Sequence, residues 1–137
     1  MDIRYPAVAE TDEGGYFVRF VDLEDTFTQG ETLDEALFNA SEVLSAMLSF
    51  RLDNDQAVPL RTANLEGAHY IAPDAKTQAA MLIRLARGDR SLAELARALE
   101  TSWPAAKRLE DPHHWPSLKQ LEKAAAALGR RLIIQMI

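Results

Sequence analysis

Hydrophobic and polar positions follow one rhythm at the start of the chain and another towards its end. Residues 4–10 and 16–21 are short β-favouring runs on either side of Thr11-Asp12-Glu13-Gly14-Gly15. Paired glycines after an acidic tip reach positive φ at little cost, which predicts a hairpin. A third short strand is expected over residues 26–29, ending at Gly30. Thr32-Leu33-Asp34-Glu35 then has capping-box form: the threonine hydroxyl can accept from the Glu35 N–H while the Glu35 carboxylate reaches back. Leu33, Leu37, Ala40, Leu44, Met47 and Leu48 follow as one apolar stripe at helical period. The helix should fade over residues 50–54, a loop should run through Pro59, and residues 68–72 read as a fourth strand ended by Pro73. The order ββ(β)αβ describes a small sheet with one helix on one face. A unit of about 70 residues is marginal alone and gains from a partner.

After Pro73 the pattern becomes helical. Residues 76–87 form an amphipathic segment closed by Gly88-Asp89. Ser91 can cap a helix over 92–99, Ser102 one over 103–110, and Ser117 one over 118–128, with Gly129 as the left-handed residue that ends it. Residues 131–137 are β-favouring again, with no second strand nearby in sequence. The expected class is therefore α+β, with domains at 1–73 and 74–137.

Charge sharpens this division. The 137 residues carry a formal net charge of −6, which taken whole argues against a nucleic-acid partner. The halves differ sharply, however. Residues 1–73 hold four basic against 14 acidic side chains, net −10, and residues 74–137 hold 11 against seven, net +4. Such asymmetry suggests two units with different partners, the second compatible with nucleic acid. There is no cysteine, which excludes disulfides, thiolate metal sites and a cysteine nucleophile. No apolar run is long enough to span a bilayer and the N-terminus is unlike a signal peptide, so a cytoplasmic protein is expected.

Residues 92–110 fit a helix-turn-helix. Ala96 lies where a second helix would cross the first, and Leu95, Leu99, Ala106 and Leu109 can fill the core between them. An ordinary helical hairpin would explain these apolar positions equally well. Ser102 would start the second helix abruptly and leave Trp103, Pro104, Lys107 and Arg108 on its outward face, where such helices meet base edges in the major groove. Trp103 could pack on a sugar or thymine methyl, or close the small core. Glu100 occupies the turn position often held by glycine and would be strained if its φ is positive. His113 and His114 have no nearby third ligand and make a poor metal site. The terminal segment, with Leu132, Ile134 and Met136 on one side and Ile133, Gln135 and Ile137 on the other, could pair with its own copy across a two-fold axis. It could instead join the chain's own sheet.

Taken in linear order, the chain resembles the HicB antitoxins over nearly its whole length. The resemblance rests on Glu13-Gly14-Gly15-Tyr16-Phe17-Val18-Arg19-Phe20-Val21-Asp22-Leu23, on Thr28-Gln29-Gly30-Glu31-Thr32-Leu33-Asp34-Glu35-Ala36 and on Asn39-Ala40, followed by the helix-turn-helix pattern. It implies a partial ribonuclease-H-like N-terminal domain that binds and blocks HicA, a small basic RNA-cleaving toxin. It also implies a C-terminal domain that binds the operator of its own operon and represses it. On that reading Tyr16, Phe20, Asp22, Glu24 and Asp25 face the toxin, and Ser102, Trp103, Pro104, Lys107 and Arg108 face a palindromic operator. Leu132, Ile133, Ile134, Gln135 and Met136 then join copies into a homodimer or higher even oligomer. Many relatives have glycine or proline where this chain has Leu23-Glu24-Asp25.

Two other classes compete. Two-metal nuclease chemistry needs three or four converging carboxylates. Asp22, Glu24 and Asp25 instead crowd one short loop, and the first strand offers only Asp2 and Glu10 at its ends. No enzyme, metal or cofactor is expected. A stand-alone helix-turn-helix regulator with a ligand- or protein-sensing N-terminal domain is the alternative, although no glycine-rich phosphate loop supports a small-molecule site.

Overall fold

A computed structural model describes residues 1–137, which divide into two compact units, Met1–Ala75 and Lys76–Ile137. In the first, β1 (Tyr5–Asp12), β2 (Gly15–Phe20), β3 (Phe27–Gly30) and β4 (His69–Ile71) form one antiparallel sheet in the order β3-β2-β1-β4, and α1 (Leu33–Asp53) packs on one face. Successive strand residues point to opposite faces. Tyr5, Ala7, Val18, Phe20 and Ile71 are buried on the α1 side, against Ala36, Ala40, Leu44, Leu48 and Leu52 of the helix. The helix row runs at strict four-residue spacing, so it is rotated from the expected stripe, and Leu33, Leu37 and Met47 are only half-buried. Ser45 falls inside that contact. Its hydroxyl donates to the Ser41 carbonyl at 2.8 Å and accepts from the Asp74 N–H at 2.8 Å.

The hairpin is tighter than expected. Asp12 pairs with Gly15, leaving only Glu13-Gly14 as the loop, with Gly14 at φ +85°. Gly30 answers to a different constraint, because a Cβ there would lie 2.6 Å from the Ala36 nitrogen. The end of β3 therefore passes directly under the first turn of α1, which only glycine permits. The capping box expected at Thr32 is half made. The Thr32 hydroxyl accepts from Glu35 N–H at 3.1 Å, with no return bond from the Glu35 carboxylate. Both halves of a box form instead at Ser117 and Gln120.

The second unit is helical: α2 (Ala75–Arg87), α3 (Leu92–Ala98), α4 (Trp103–Arg108) and α5 (Leu118–Ala127). Ser91, Ser102 and Ser117 each accept the N3 amide of the helix they start. Ile83, Leu95, Ala96, Ala106, Leu109, Ala124 and Leu128 form the core, with Leu92, Leu99 and Leu121 packed at its margin. Glu100 sits at φ +53°. Its N–H bonds to the Arg97 carbonyl and that of Thr101 to the Ala96 carbonyl, the two bonds of a Schellman stop. Gly129, at φ +72°, ends α5 by the same pair of bonds, from Gly129 to Ala126 and from Arg130 to Ala125. The β-favouring segment 131–137 is not a strand in this chain and takes no place in the four-stranded sheet. Isolated from any partner edge, it leaves Ile133, Ile134, Met136 and Ile137 exposed. No helix is long and apolar enough to cross a membrane.

Candidate functional site

In the first unit, the face of the sheet turned away from α1 is covered on one half and open on the other. The covered half lies over β1 and β4. Pro6, pointing away from α1, is fully buried, and Tyr70 opposite it accepts from Leu65 N–H and donates to the Thr62 carbonyl, both at 2.8 Å. Residues 59–65 thus form a strap. Asp22 ties it to the end of β2, one carboxylate oxygen accepting from Thr62 N–H at 2.8 Å and the other from its hydroxyl at 2.7 Å. Tyr5 donates to the Pro59 carbonyl at 2.7 Å, and burial pushes its phenol up to about 12. Arg61 lies over the Tyr70 ring and reaches the Asp2 carboxylate at 3.3 Å. Asp2 is also hydrogen-bonded by Arg4, and chiefly for that reason its carboxyl is lowered to about 2.

The expected partner-facing residues of this unit separate into different roles. Phe20 belongs to the core, because strand alternation turns it towards α1. Tyr16 is half-buried near the hairpin. Asp22 is half-buried, and both its oxygens hold the strap. Glu24 and Asp25 are exposed on the β2–β3 turn, which is pinched by Asp25 at φ +50° and by Thr26 donating to the Glu24 carbonyl at 2.9 Å. The open half of the face carries Phe17, Arg19 and Phe27 instead. The Phe17 and Phe27 rings meet diagonally across β2 and β3 with centroids 5.5 Å apart, and Phe27 is 54% exposed. Alternation from the buried Val18 could have identified both neighbours as outward, but Phe17 and Phe27 read as ordinary strand formers.

In the second unit Ser102, Trp103, Pro104, Lys107 and Arg108 are all exposed on or beside α4, while Ala106 and Leu109 point into the core. Trp103 does not close that core. It is 48% exposed, and the Lys107 ammonium sits over its ring, 5.3 Å from the centroid. The Ser102 hydroxyl accepts the Ala105 amide, so its oxygen already serves the helix start. Arg108 offers a guanidinium fork without a side-chain partner. Two contacts that sequence reasoning missed hold this region. Arg87 makes a two-pronged pair with Glu110, and Arg90 donates to the carbonyls of Ala86 and Leu128. Neither the Arg87–Glu110 pair nor the Arg90–Leu128 bond had a sequence signal, since they span 23 and 38 positions. The exposed set offers two cations, an aromatic face and a helix start, a combination suited to phosphates and base edges.

Comparison with known proteins adds to this geometry. A family model described as a HicB-like antitoxin of bacterial toxin-antitoxin systems matches residues 4–79. The chain is 30% identical over 138 residues to antitoxin HicB of Escherichia coli strain K12, covering 98% of this chain and 100% of that one. It is also 30% identical over 138 residues to antitoxin HicB 1 of Photorhabdus laumondii, covering 98% and 88%. Antitoxin HicB of Pseudomonas fluorescens is 27% identical over 135 residues, covering 96% and 92%.

Proposed function

Because the chain belongs to the HicB-like antitoxin family, we propose that its two units neutralise a toxin and repress the operon that encodes both proteins. The first unit, which we read as a partial ribonuclease-H-like domain, binds and blocks a small basic RNA-cleaving protein of the HicA kind. The second, read as a helix-turn-helix domain with α4 as recognition helix, binds a palindromic operator in the cytoplasm. The division of charge carries this reading: net −10 over residues 1–73 and +4 over residues 74–137. An acidic unit accelerates its encounter with a basic RNA-binding protein, and a basic unit gains from displacing counterions on DNA phosphates. The exposed Lys107 and Arg108 on α4 support the second half of the proposal.

Assembly follows from the tail. Leu132, Ile133, Ile134, Gln135 and Met136 lie in an unpaired β-favouring segment, and pairing it with a second copy gives the two-fold dimer that a palindromic site requires. The test is co-expression with the neighbouring reading frame, followed by purification and a gel-shift titration against the operon's upstream DNA. A stable complex with a small basic protein, and retardation of that DNA over an unrelated duplex, is the expected result. A chain that captures neither would overturn the proposal.

A further inference from the structure

The open half of the outer sheet face has the make-up of a protein interface. At its centre the Phe17 and Phe27 rings meet at a tilt with centroids 5.5 Å apart, with Val21 exposed beside them. They border a shallow groove of about 530 Å³ that runs to the Leu23-Glu24-Asp25 turn. Around this apolar centre stand Glu10, opposite Phe17 on β1, and Glu24 and Asp25 on the turn, all exposed. Arg19 is the single cation among them, on the same face and opposite Phe27. Aromatic anchors inside a charged rim are the arrangement in which a few residues dominate binding and the rim sets rate and selectivity.

We propose that the Phe17–Phe27 face is the surface on which the first unit docks a small basic protein, Phe27 being the anchor and Glu10, Glu24 and Asp25 the steering rim. The proposal rests on the toxin-binding reading above and assigns it to one surface. Charge chooses the occupant. A second copy of this chain would bring a unit of net −10 against itself, whereas a partner presenting an apolar side chain among lysines and arginines complements both centre and rim. The groove's position also favours docking onto the face over adding a strand at the β3 edge. Asn39 of α1 already donates to the Gln29 carbonyl there at 3.0 Å and blocks part of that edge. The other half of the face is covered, since the strap held by Thr62 and Asp22 lies across it.

The experiment uses the full chain and the basic protein encoded beside it, purified separately, with binding followed by surface plasmon resonance at several salt concentrations. Phe27→Ala is expected to raise Kd at least tenfold, mostly through faster dissociation. Glu24→Gln with Asp25→Asn is expected to slow association several-fold and flatten its salt dependence while dissociation stays near wild type. Circular dichroism and operator retardation by each variant establish that it folds, and the rim double variant, which touches no core residue, tests the surface even if Phe27→Ala is unstable. If wild type binds and folded Phe27→Ala and rim variants bind with unchanged constants, this surface is wrong although the toxin-binding reading stands. If wild type itself does not bind, that reading has failed. Self-association of the wild-type chain that Phe27→Ala abolishes would identify a second copy as the occupant and overturn the proposal.

Discussion

Arg87, the last residue of α2, grips Glu110, just past α4, with two parallel bonds: Nε to Oε2 at 2.6 Å and Nη2 to Oε1 at 3.0 Å. The side chains are only 17% and 8% exposed, so the pair is largely removed from water. It fixes the end of α4, and with it the direction in which Lys107 and Arg108 point. Removing one partner leaves a desolvated charge, which costs about 3 kcal/mol, whereas removing both costs less. Glu110→Ala should therefore lower unfolding stability in urea by about that amount, and adding Arg87→Met should recover part of it. A double-variant loss equal to the sum of the two single losses would show that the pair does not act as a unit.

Glu100 is held at φ +53°, a conformation that costs a residue with a side chain about 1 kcal/mol and costs glycine little. Glu100→Gly should raise stability by roughly 0.5–1 kcal/mol, read as a shift in urea midpoint at constant slope. Gly129→Ala, at φ +72°, should lower it by about 1 kcal/mol. A fall in stability for Glu100→Gly would mean that the glutamate side chain contributes more than its backbone strain costs.

These two turns also mark what was legible in the sequence. Caps and stops are local, so Ser91, Ser102, Ser117 and Gly129 declared their helices from neighbouring residues alone. The hairpin and Gly30 were legible for the same reason. Faces and long-range bonds were less so. Phe20 looked partner-facing because an aromatic residue in a short strand does not say which side is covered, and only the position of α1 decides that. Asp22 looked like part of an acidic edge until Thr62, 40 positions away, closed on it. The Arg87–Glu110 pair spans 23 positions and left no pattern to read. The segment 131–137 kept its strand character in composition but not in this chain's structure, since a strand needs a partner edge.

Asp2 gives the first unit a pH signature. Its carboxyl is lowered from 3.8 to about 2, first by the hydrogen bond from Arg4, with Arg61 adding to it. A carboxyl that is more acidic in the folded chain than in the unfolded one stabilises the fold above the unfolded value. That contribution disappears as pH falls from about 4 to about 2. Asp2→Asn should accordingly flatten the fall of melting temperature across this window and slightly lower the melting temperature at pH 7. An unchanged pH profile would show that Asp2 and Arg4 stay paired after unfolding.

Deleting residues 131–137 tests assembly. With four exposed large apolar side chains in seven residues, this tail is the strongest candidate for a seam between copies. The truncated chain should sediment as a monomer and lose operator affinity far more than toxin affinity, because two linked half-sites gain effective concentration that one does not. A truncated chain that still sediments as a dimer would move the seam elsewhere.

Lys107 and Arg108 differ in a way that separates their expected roles. The Lys107 ammonium rests on the Trp103 ring, 5.3 Å from its centroid, while the Arg108 guanidinium is exposed and unpaired. A planar fork can pair bidentately with guanine, whereas an ammonium acts as a point charge suited to phosphate. Lys107→Ala should then weaken binding to every duplex alike and make the log–log salt dependence shallower by about 0.9 per half-site. Arg108→Ala should cost about 1–3 kcal/mol on the operator and relax its preference at one position per half-site. Trp103→Ala should free Lys107 from the indole and weaken operator binding without shifting the melting temperature much, since the ring lies outside the core. Half-sites should lie one helical turn, about 10 bp, or a small multiple apart. Toxin affinity should be the same in all three variants. If none alters operator retardation in a gel-shift titration, α4 is not the recognition helix and the DNA-binding surface of the second unit lies on another of its faces.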